Sequence, residues 1–246
     1  MIDATLDEVV RPATAARPIH MTPPVSARLV VLASPRRVYT LLGAFVALAI
    51  VAHFDGGRLL LFVDRPVEKF VIAHRSGRLD WVFNHLSFLG STQVVLMGGA
   101  VLALAALPKC RAVSVLIATA TLTRPLLEFT LKNLVARDRP DIDRMSRGVG
   151  YSFPCGHVMA AAVLWGMVPI VVSLYLRSHR VWWFTTTVSW LMVIGIGSSR
   201  VYLGVHWPTD VLGGFIAVSL LMAALELGYH RVHLRRRCDL GIIPVR

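Results

Sequence analysis

Long apolar runs that recur along the chain are the feature that most constrains its fold. A helix needs about 20 consecutive apolar residues to cross the hydrocarbon of a bilayer. Six stretches approach or exceed that length and carry few charges: 38–54, 86–107, 112–135, 157–176, 181–198 and 211–227. The sequence therefore predicts an all-α, polytopic membrane protein with six transmembrane helices.

The composition agrees with a membrane protein. Hydrophobic residues make up 55% of the chain and charged residues 16%, whereas about a quarter of a soluble domain is charged. A soluble bundle would have to bury every apolar run in one modest core. The net charge of +12 would suit nucleic acid, but most basic residues flank the apolar runs, where Lys and Arg fix membrane orientation. We therefore expect no nucleic-acid partner.

The basic clusters also predict the topology. If the amino terminus is cytoplasmic, every cytoplasmic connection carries Lys or Arg, as the positive-inside rule requires. Six crossings then return the carboxyl terminus to the cytoplasm. The predicted parts are a flexible cytoplasmic tail over 1–35, a six-helix membrane domain over 36–230 and a basic cytoplasmic tail over 231–246. The segments predicted to lie outside are 55–85, 136–156 and 199–210.

Ionisable residues gather at the predicted outer ends of spans three to six. They lie in the segments KNLVARDRP (132–140), FPCGH (153–157) and SRVYLGVHWPTD (199–210). Charges at the ends of membrane spans are costly unless they face water, a partner or a ligand. Interfacial anchoring would explain any one of them, but anchors should favour the cytoplasmic side. We therefore interpret the set as a binding site.

The cationic members of this set suit a phosphate ligand. Lys132, Arg139 and Arg200 can stabilise the negative charge that spreads over the oxygens of a phosphoryl group during transfer. Gly156 opens the fourth span, where free backbone N–H groups and the positive end of the helix dipole also favour an anion. The site is therefore expected to bind phosphate.

The remaining members suit catalysis. Asp210 follows His206 by four residues and can accept a hydrogen bond from one imidazole nitrogen, which leaves the other nitrogen as a nucleophile. His157 can serve as the acid that protonates the leaving group. A single histidine at a helix start is more often structural, but two histidines with an aspartate and three cations favour chemistry.

These segments resemble the active-site motifs of the type 2 phosphatidic acid phosphatase family, whose site is shared with acid phosphatases and vanadium-dependent haloperoxidases. The family pattern is Lys, six residues, Arg-Pro; then Pro-Ser-Gly-His; then Ser-Arg, five residues, His, three residues and Asp. The matching residues are Lys132, Arg139, Pro140, Pro154, Cys155, Gly156, His157, Ser199, Arg200, His206 and Asp210, in the same order and spacing. The resemblance covers the chain from the second span to the sixth.

The resemblance implies a role for each residue. His206 is implied to form a phosphohistidine intermediate, with Asp210 orienting it and His157 as general acid. The implied phosphate-binding residues are Lys132, Arg139, Cys155, Gly156, Ser199 and Arg200. The family uses no metal or other cofactor, and the sequence shows no evident cluster of metal ligands.

One position departs from the family pattern. Cys155 stands where the family has serine, whose hydroxyl and backbone amide contact phosphate. A thiol is larger and a weaker donor, so we expect weaker phosphate binding or slower turnover. Cys155 is not expected to be a nucleophile, because position 161 is Ala where cysteine-dependent phosphatases carry Arg. With His157 it supplies at most two zinc ligands.

The expected function is hydrolysis of a lipid phosphate or pyrophosphate at the outer face of a bacterial plasma membrane. The protein is expected to be integral to that membrane and to contact its lipids. A polyprenyl pyrophosphate of the undecaprenyl type is the first candidate, because an outward-facing site suits recycling of a carrier lipid. Phosphatidate, phosphatidylglycerol phosphate and a sugar-linked prenyl phosphate stay open. Alternatives of other classes are a transporter of phosphorylated lipids and a binding protein weakened by Cys155.

Two further expectations concern the surroundings of the site. Arg124, Glu128 and Lys132 recur every four residues and share one helix face. We expect Arg124 and Glu128 to form a buried ion pair near the floor of the site rather than to bind substrate. The segment 55–85 is expected to contain a helix lying in the membrane interface.

Overall fold

The computed structural model describes residues 35–54, 58–141, 144–146, 148–176 and 178–233. These residues form eight α-helices and no strand. The helices are α1 (Pro35–Phe54), α2 (Arg58–Ala73), α3 (Gly77–Leu89), α4 (Thr92–Ala106), α5 (Arg111–Val135), α6 (Gly156–Tyr175), α7 (His179–Tyr202) and α8 (Pro208–His233). The predicted all-α class is confirmed. The predicted tails fall outside the described residues over 1–34 and 234–246.

Five helices are long and apolar enough to cross a membrane, namely α1, α5, α6, α7 and residues 208–228 of α8. The pair formed by α3 and α4 passes the same test as one bent span. Five of the six predicted spans are therefore confirmed as continuous helices whose ends lie within a few residues of the expected ones. The cytoplasmic location of both termini stays a prediction.

The second predicted span is wrong as a single helix. We expected it over 86–107, but α3 and α4 meet at a 50° bend. Ser91 caps α4, because its Oγ accepts the backbone N–H of Val94 at 3.4 Å. Gly90 allows a close approach to α7, since a Cβ there would lie 2.5 Å from Ile196 Cγ2. The break lies at Gly-Ser-Thr-Gln (90–93) within an otherwise apolar run, and hydropathy averaged over the length of a span does not resolve so short a polar stretch.

The core of the bundle is built around α6, which packs against α4, α5, α7 and α8. Its buried side chains include Met159, Val163 and Met167, which cluster with Ile117 of α5 and Phe153. Many large apolar side chains of the outer helices are exposed, among them Phe129, Trp190 and Leu191. That distribution fits helices whose outer faces contact lipid.

Three connections meet at one end of the bundle. Arg75, between α2 and α3, donates from Nη2 to the carbonyl oxygen of Tyr202 at 2.8 Å. In the segment after α5, the N–H of Met145 donates to the carbonyl oxygen of Leu203 at 3.1 Å. The segments 55–85, 136–156 and 199–210, which we predicted to share a membrane side, therefore share one end of the fold. The first of these segments contains α2, and its predicted position in the membrane interface stays a prediction.

The other end of the bundle carries basic residues. Lys109 lies over the ring of Tyr175, with Nζ 5.2 Å from the centroid. The Tyr175 hydroxyl donates to the carbonyl oxygen of Ala105 at 2.6 Å. The end of α4, the start of α5 and the end of α6 are therefore together, with their basic connection facing away from the three segments described above.

Candidate active site

A cavity of about 150 Å³ opens at the end of the bundle where the three connections meet. Residues predicted from the sequence form much of its wall. Those that line it are Lys132, Arg139, Gly156, His157, Arg200 and His206. Asp210, which is fully buried, lies behind His206. The structure therefore brings side chains from four separate helices and two connections to one small space.

Helix ends place these side chains. Lys132 lies in the last turn of α5, which ends where Ala136 adopts a left-handed φ of 51°. Gly156 is the first residue of α6 and Arg200 lies in the last turn of α7. Pro208 begins α8, a position where its missing N–H costs nothing. Two helices thus end at the cavity and two begin there.

His206 is held with one imidazole nitrogen toward Asp210 and the other toward the cavity cations. Its Nδ1 lies 3.4 Å from Asp210 Oδ2, and its Nε2 lies 3.4 Å from Arg139 Nη1. Both contacts are longer than a good hydrogen bond, and such contacts often tighten only when substrate binds. Burial, and then the positive charges of Arg139, Arg200 and Lys132, hold the pKa of His206 well below its ordinary 6.5. The imidazole is therefore neutral, as a nucleophile must be.

Arg139 fastens a surface segment over the cavity. Its Nε donates to the carbonyl oxygen of Gly150 and its Nη2 to that of Val149, both at 2.8 Å. Its Nη1 donates to the carbonyl oxygen of Val205, beside His206, at 2.7 Å. Burial is the main cause that lowers the pKa of Arg139 below its ordinary value. Arg139 therefore sets the position of this segment as well as lining the cavity.

Arg200 lines the cavity and has one guanidinium N–H without a described partner. Its Nη1 donates to the hydroxyl oxygen of Ser87 on α3. Its buried Nε has no hydrogen-bond partner among the described residues. A buried N–H without a partner costs free energy, of the order of 1–3 kcal/mol, which a phosphate oxygen at this position would recover.

Glu128 lies between two cations at the cavity wall. Its Oε2 lies 2.5 Å from Arg124 Nη1, and Arg124 is 1% exposed. Its Oε1 lies 2.9 Å from Lys132 Nζ. The predicted ion pair of Arg124 with Glu128 is confirmed, and it lies beside the cavity, which Glu128 also lines. The pairing of Glu128 with Lys132 was not predicted, and it fixes the ammonium group in the cavity wall.

Two of the predicted phosphate-binding residues, Ser199 and Cys155, are not among the residues that line the cavity. The Ser199 hydroxyl donates to the carbonyl oxygen of Ile196 at 2.6 Å, a bond within its own helix. The Cys155 side chain is fully buried in an apolar cluster with Val158 and Ile196, and its backbone N–H donates to the carbonyl oxygen of Asp210 at 3.0 Å. Burial raises the pKa of the thiol to about 11, so it stays protonated.

Two charged residues behind the site were not predicted from the sequence. Arg137 donates to Asp64 Oδ2 and to Asp210 Oδ1, each at 2.7 Å. Arg137 stands inside the KNLVARDRP segment, where it received no role. Asp64 lies far upstream on α2, and the signal that could have found it is a carboxylate within a mainly apolar stretch. Gly90 and Thr92 at the break between α3 and α4 also line the cavity, and both were missed because the break was not expected.

The described residues contain no group of three or more His, Cys, Asp or Glu side chains arranged to hold a metal ion.

Comparisons with known proteins agree with the geometry. The model of the PAP2 superfamily matches residues 110–235, just over half of the chain. Phosphatidylglycerophosphatase B of Bacillus subtilis is 37% identical over 110 residues, which cover 44% of this chain and 53% of that protein. Undecaprenyl-diphosphatase of Sulfolobus acidocaldarius is 33% identical over 79 residues, 31% of this chain and 34% of that protein. The chain thus spans about half or less of the length of these relatives.

A solved structure of known function is similar to this protein over most of the chain. It is the crystal structure of a transmembrane PAP2-type phosphatidylglycerolphosphate phosphatase from Bacillus subtilis, with a TM-score of 0.71 and 27% identity. The similarity covers 81% of this chain and 98% of that one. Because the family model matches more than half of the chain, and the apolar helices and the solved transmembrane relative agree with it, the chain belongs to the PAP2 superfamily and is an integral membrane member of it.

Proposed function

We propose that the protein is a lipid phosphatase that removes the terminal phosphate of a lipid phosphate or pyrophosphate through a phosphohistidine on His206. The observation that carries the proposal is the convergence of Lys132, Arg139, His157, Arg200 and His206 on one cavity. Three cations, a neutral imidazole backed by a carboxylate and a second imidazole are the groups that phosphoryl transfer through histidine requires.

Each step of the reaction uses a group at the cavity wall. The lone pair of His206 Nε2 attacks phosphorus while the bond from phosphorus to the leaving oxygen breaks. His157 donates a proton to that oxygen, and the dephosphorylated lipid leaves. Water then attacks the phosphohistidine, His157 takes up the proton of that water, and inorganic phosphate departs with His206 restored. Asp210 stabilises the charge that the imidazole gains while it carries phosphorus.

The three cations act on the oxygens of the transferred group. Lys132 and Arg200 come from the last turns of α5 and α7, so their approach to the phosphate is fixed by rigid elements. Arg139 adds a guanidinium directly beside His206. Fixed donors of this kind stabilise the transition state without having to reorganise during the reaction.

Two lipid substrates are the leading candidates. An undecaprenyl-type pyrophosphate is the first, because release of a terminal phosphate at an outward-facing site suits recycling of a carrier lipid, and one relative is an undecaprenyl-diphosphatase. Phosphatidylglycerol phosphate is the second, and the similarity to the two Bacillus subtilis proteins favours it. Phosphatidate is a third substrate of the same chemistry. All present a terminal phosphate on a membrane-bound molecule.

The site is proposed to face the outside of a bacterial plasma membrane. Lys109, Arg111 and Arg180 flank the described spans at the end opposite the cavity. Basic residues of short connections mark the cytoplasmic side, so this arrangement supports an outward-facing cavity with both termini in the cytoplasm.

The test is phosphate release by the purified protein from the three lipids in detergent micelles, with and without chelator. We expect hydrolysis that chelator does not change and that His206→Ala reduces by at least about a thousandfold, because the nucleophile is lost. The control is His85→Ala. This histidine is exposed, and its described contacts are a hydrogen bond and a ring contact with Trp81 of the same helix. It should retain full activity.

Other outcomes would redirect the proposal. Release that survives His206→Ala would refute the histidine mechanism, and inhibition by chelator would indicate a metal enzyme. Tight binding of the lipid phosphate without release would support a transporter or a binding protein. In right-side-out membrane vesicles, phosphate should appear in the external medium, and release into the lumen would refute the proposed orientation.

A further inference from the structure

A buried chain of charged side chains runs from α2 to the nucleophile. Arg137 bridges Asp64 of α2 and Asp210 of α8, with a 2.7 Å contact to each carboxylate. Asp64 and Asp210 are 0% exposed and Arg137 is 1% exposed. None of the three is among the residues that line the cavity, so their effect on the reaction must pass through His206.

Asp64 is fixed to α8 independently of Arg137. Its Oδ1 accepts the backbone N–H of Thr209 at 2.9 Å, and its Oδ2 accepts the Thr209 hydroxyl at 2.7 Å. Thr209 also accepts a hydrogen bond from Arg137 Nη1 at 2.7 Å. Because Thr209 is the neighbour of Asp210, docking of α2 determines where the guanidinium lies relative to the first turn of α8.

The two oxygens of Asp210 have different partners. Oδ1 accepts from Arg137, whereas Oδ2 accepts the backbone N–H of Trp207 at 2.9 Å and lies 3.4 Å from His206 Nδ1. The contact with His206 is the longest of the three. The direction of the carboxylate is therefore set by Arg137 and Trp207, and the imidazole adapts to it.

Asp64 also controls the charge behind the nucleophile. Arg137 paired with Asp210 alone would leave that pair without net charge. The second carboxylate restores one negative charge to the buried group, at a place where water cannot screen it. A negative charge there stabilises the positive charge that the imidazole gains as Nε2 bonds to phosphorus.

We propose that Asp64 and Arg137 are positioning residues for the phosphatase reaction, which act through Asp210 to orient His206 and to stabilise its phosphorylated form. The inference rests on the proposed function. Asp64 lies outside residues 110–235, which match the family model, so the sequence motifs give no account of it.

The first test is Asp64→Asn, which removes the charge and nearly keeps the shape. We expect kcat to fall by about 10- to 100-fold. KM, and inhibition by inorganic phosphate, should stay within about twofold of the wild type, because the cavity cations are untouched. The melting temperature in detergent is measured in parallel.

The pH profile separates positioning from simple loss of folded enzyme. The charged and titratable groups that face His206 are Lys132 of α5, Arg139 of the following segment, His157 of α6, Arg200 of α7 and Asp210 of α8. Asp64→Asn keeps all of these groups and removes a single negative charge that lies farther from His206. The acid limb of kcat/KM should therefore move to lower pH while the plateau falls. Loss of folded enzyme would lower the plateau and leave the limb in place.

The matched control is Glu68→Gln, on the same helix and one turn further along. Glu68 is also buried, at 8% exposure. Its charge acts on Asp64, but no described hydrogen bond or ion pair joins it to Arg137 or Asp210. It should retain the wild-type kcat and pH profile. Equal behaviour of Asp64→Asn and Glu68→Gln would overturn the inference, as would a raised KM with unchanged kcat.

A second variant covers the case in which Asp64→Asn does not fold. Arg137→Lys keeps the positive charge but loses the planar fork whose two nitrogens contact Asp210 and Asp64 separately, so we expect a reduced kcat with an unmoved acid limb. A wild-type kcat would overturn the inference. The two proposals fail in different experiments. Activity that survives His206→Ala would refute the proposed function, whereas wild-type behaviour of the Asp64 or Arg137 variant would refute only this inference.

Discussion

The close packing of Gly156 against Glu128 makes Gly156→Ala the sharpest probe of the site. A Cβ at this position would lie 1.8 Å from Glu128 Oε1 and 2.4 Å from Oε2. The carboxylate would have to retreat by about 1.5 Å to reach ordinary contact. The Glu128 carboxylate is the end of a flexible side chain, but its ion pairs with Arg124 and Lys132 oppose the movement.

The expected cost follows from those ion pairs. Breaking a buried ion pair by displacing one partner costs about 3–5 kcal/mol. Glu128 is 20% exposed, so partial solvation brings the expected cost to about 2–3 kcal/mol. Replacing Gly by Ala in a helix returns up to about 1 kcal/mol. The net loss of about 1–2 kcal/mol corresponds to a melting temperature lower by about 2–8 °C for a chain of this size.

The assay is thermal unfolding in detergent together with kcat/KM for lipid phosphate hydrolysis. Gly156→Ala should also lower kcat/KM by at least about tenfold, because the methyl group enters the cavity and Lys132 loses its fixed position. The control is Gly166→Ala in the same helix, where an added Cβ meets nothing within 4 Å. It should keep full activity and melt at the wild-type temperature or above. If the two variants have the same melting temperature and both retain activity, the argument from close packing is refuted.

Two further predictions concern Cys155 and His206. Cys155→Ser should retain or raise phosphatase activity, because the thiol lies outside the cavity and a serine hydroxyl caps a helix better than a thiol; complete loss of activity would show that the thiol has a role of its own. The acid limb of kcat/KM, corrected for ionisation of the substrate phosphate, should lie below pH 6.5, because the pKa of His206 is lowered and its nucleophilic form persists as pH falls. Loss of kcat/KM centred at or above 6.5 would contradict the cationic surroundings of the imidazole.

The motif residues could be predicted from sequence because their roles depend on residue type and spacing. Helix periodicity and hydropathy placed Lys132 and Arg200 at helix ends, and the spacing of four placed Asp210 within reach of His206. The same local rules placed Glu128 beside Arg124. These contacts form within one helix or across one turn, where the sequence fixes geometry directly.

Contacts between distant segments could not be predicted in this way. The pairing of Asp64 with Arg137 depends on how α2 docks against α8, and no local pattern encodes that docking. The break between α3 and α4 was missed because the short polar stretch 90–93 is averaged with the apolar residues before and after it when hydropathy is taken over a whole span. The burial of Cys155 also depends on tertiary packing, since its neighbour Ile196 comes from another helix.

The charges around the cavity favour a ligand with the charge of one terminal phosphate. The cations are Lys132, Arg139, Arg200, Arg124 and Arg137, and the carboxylates near them are Glu128, Asp64 and Asp210. Counted with His206 neutral and without the proton that His157 gives to the leaving oxygen, this set leaves an excess of two positive charges. A phosphate monoester carries about −1.5 to −2 at neutral pH, so it would neutralise that excess nearly completely. Any further charge on a substrate, such as the inner phosphate of a pyrophosphate, would therefore have to stay at the mouth of the cavity, where water can solvate it.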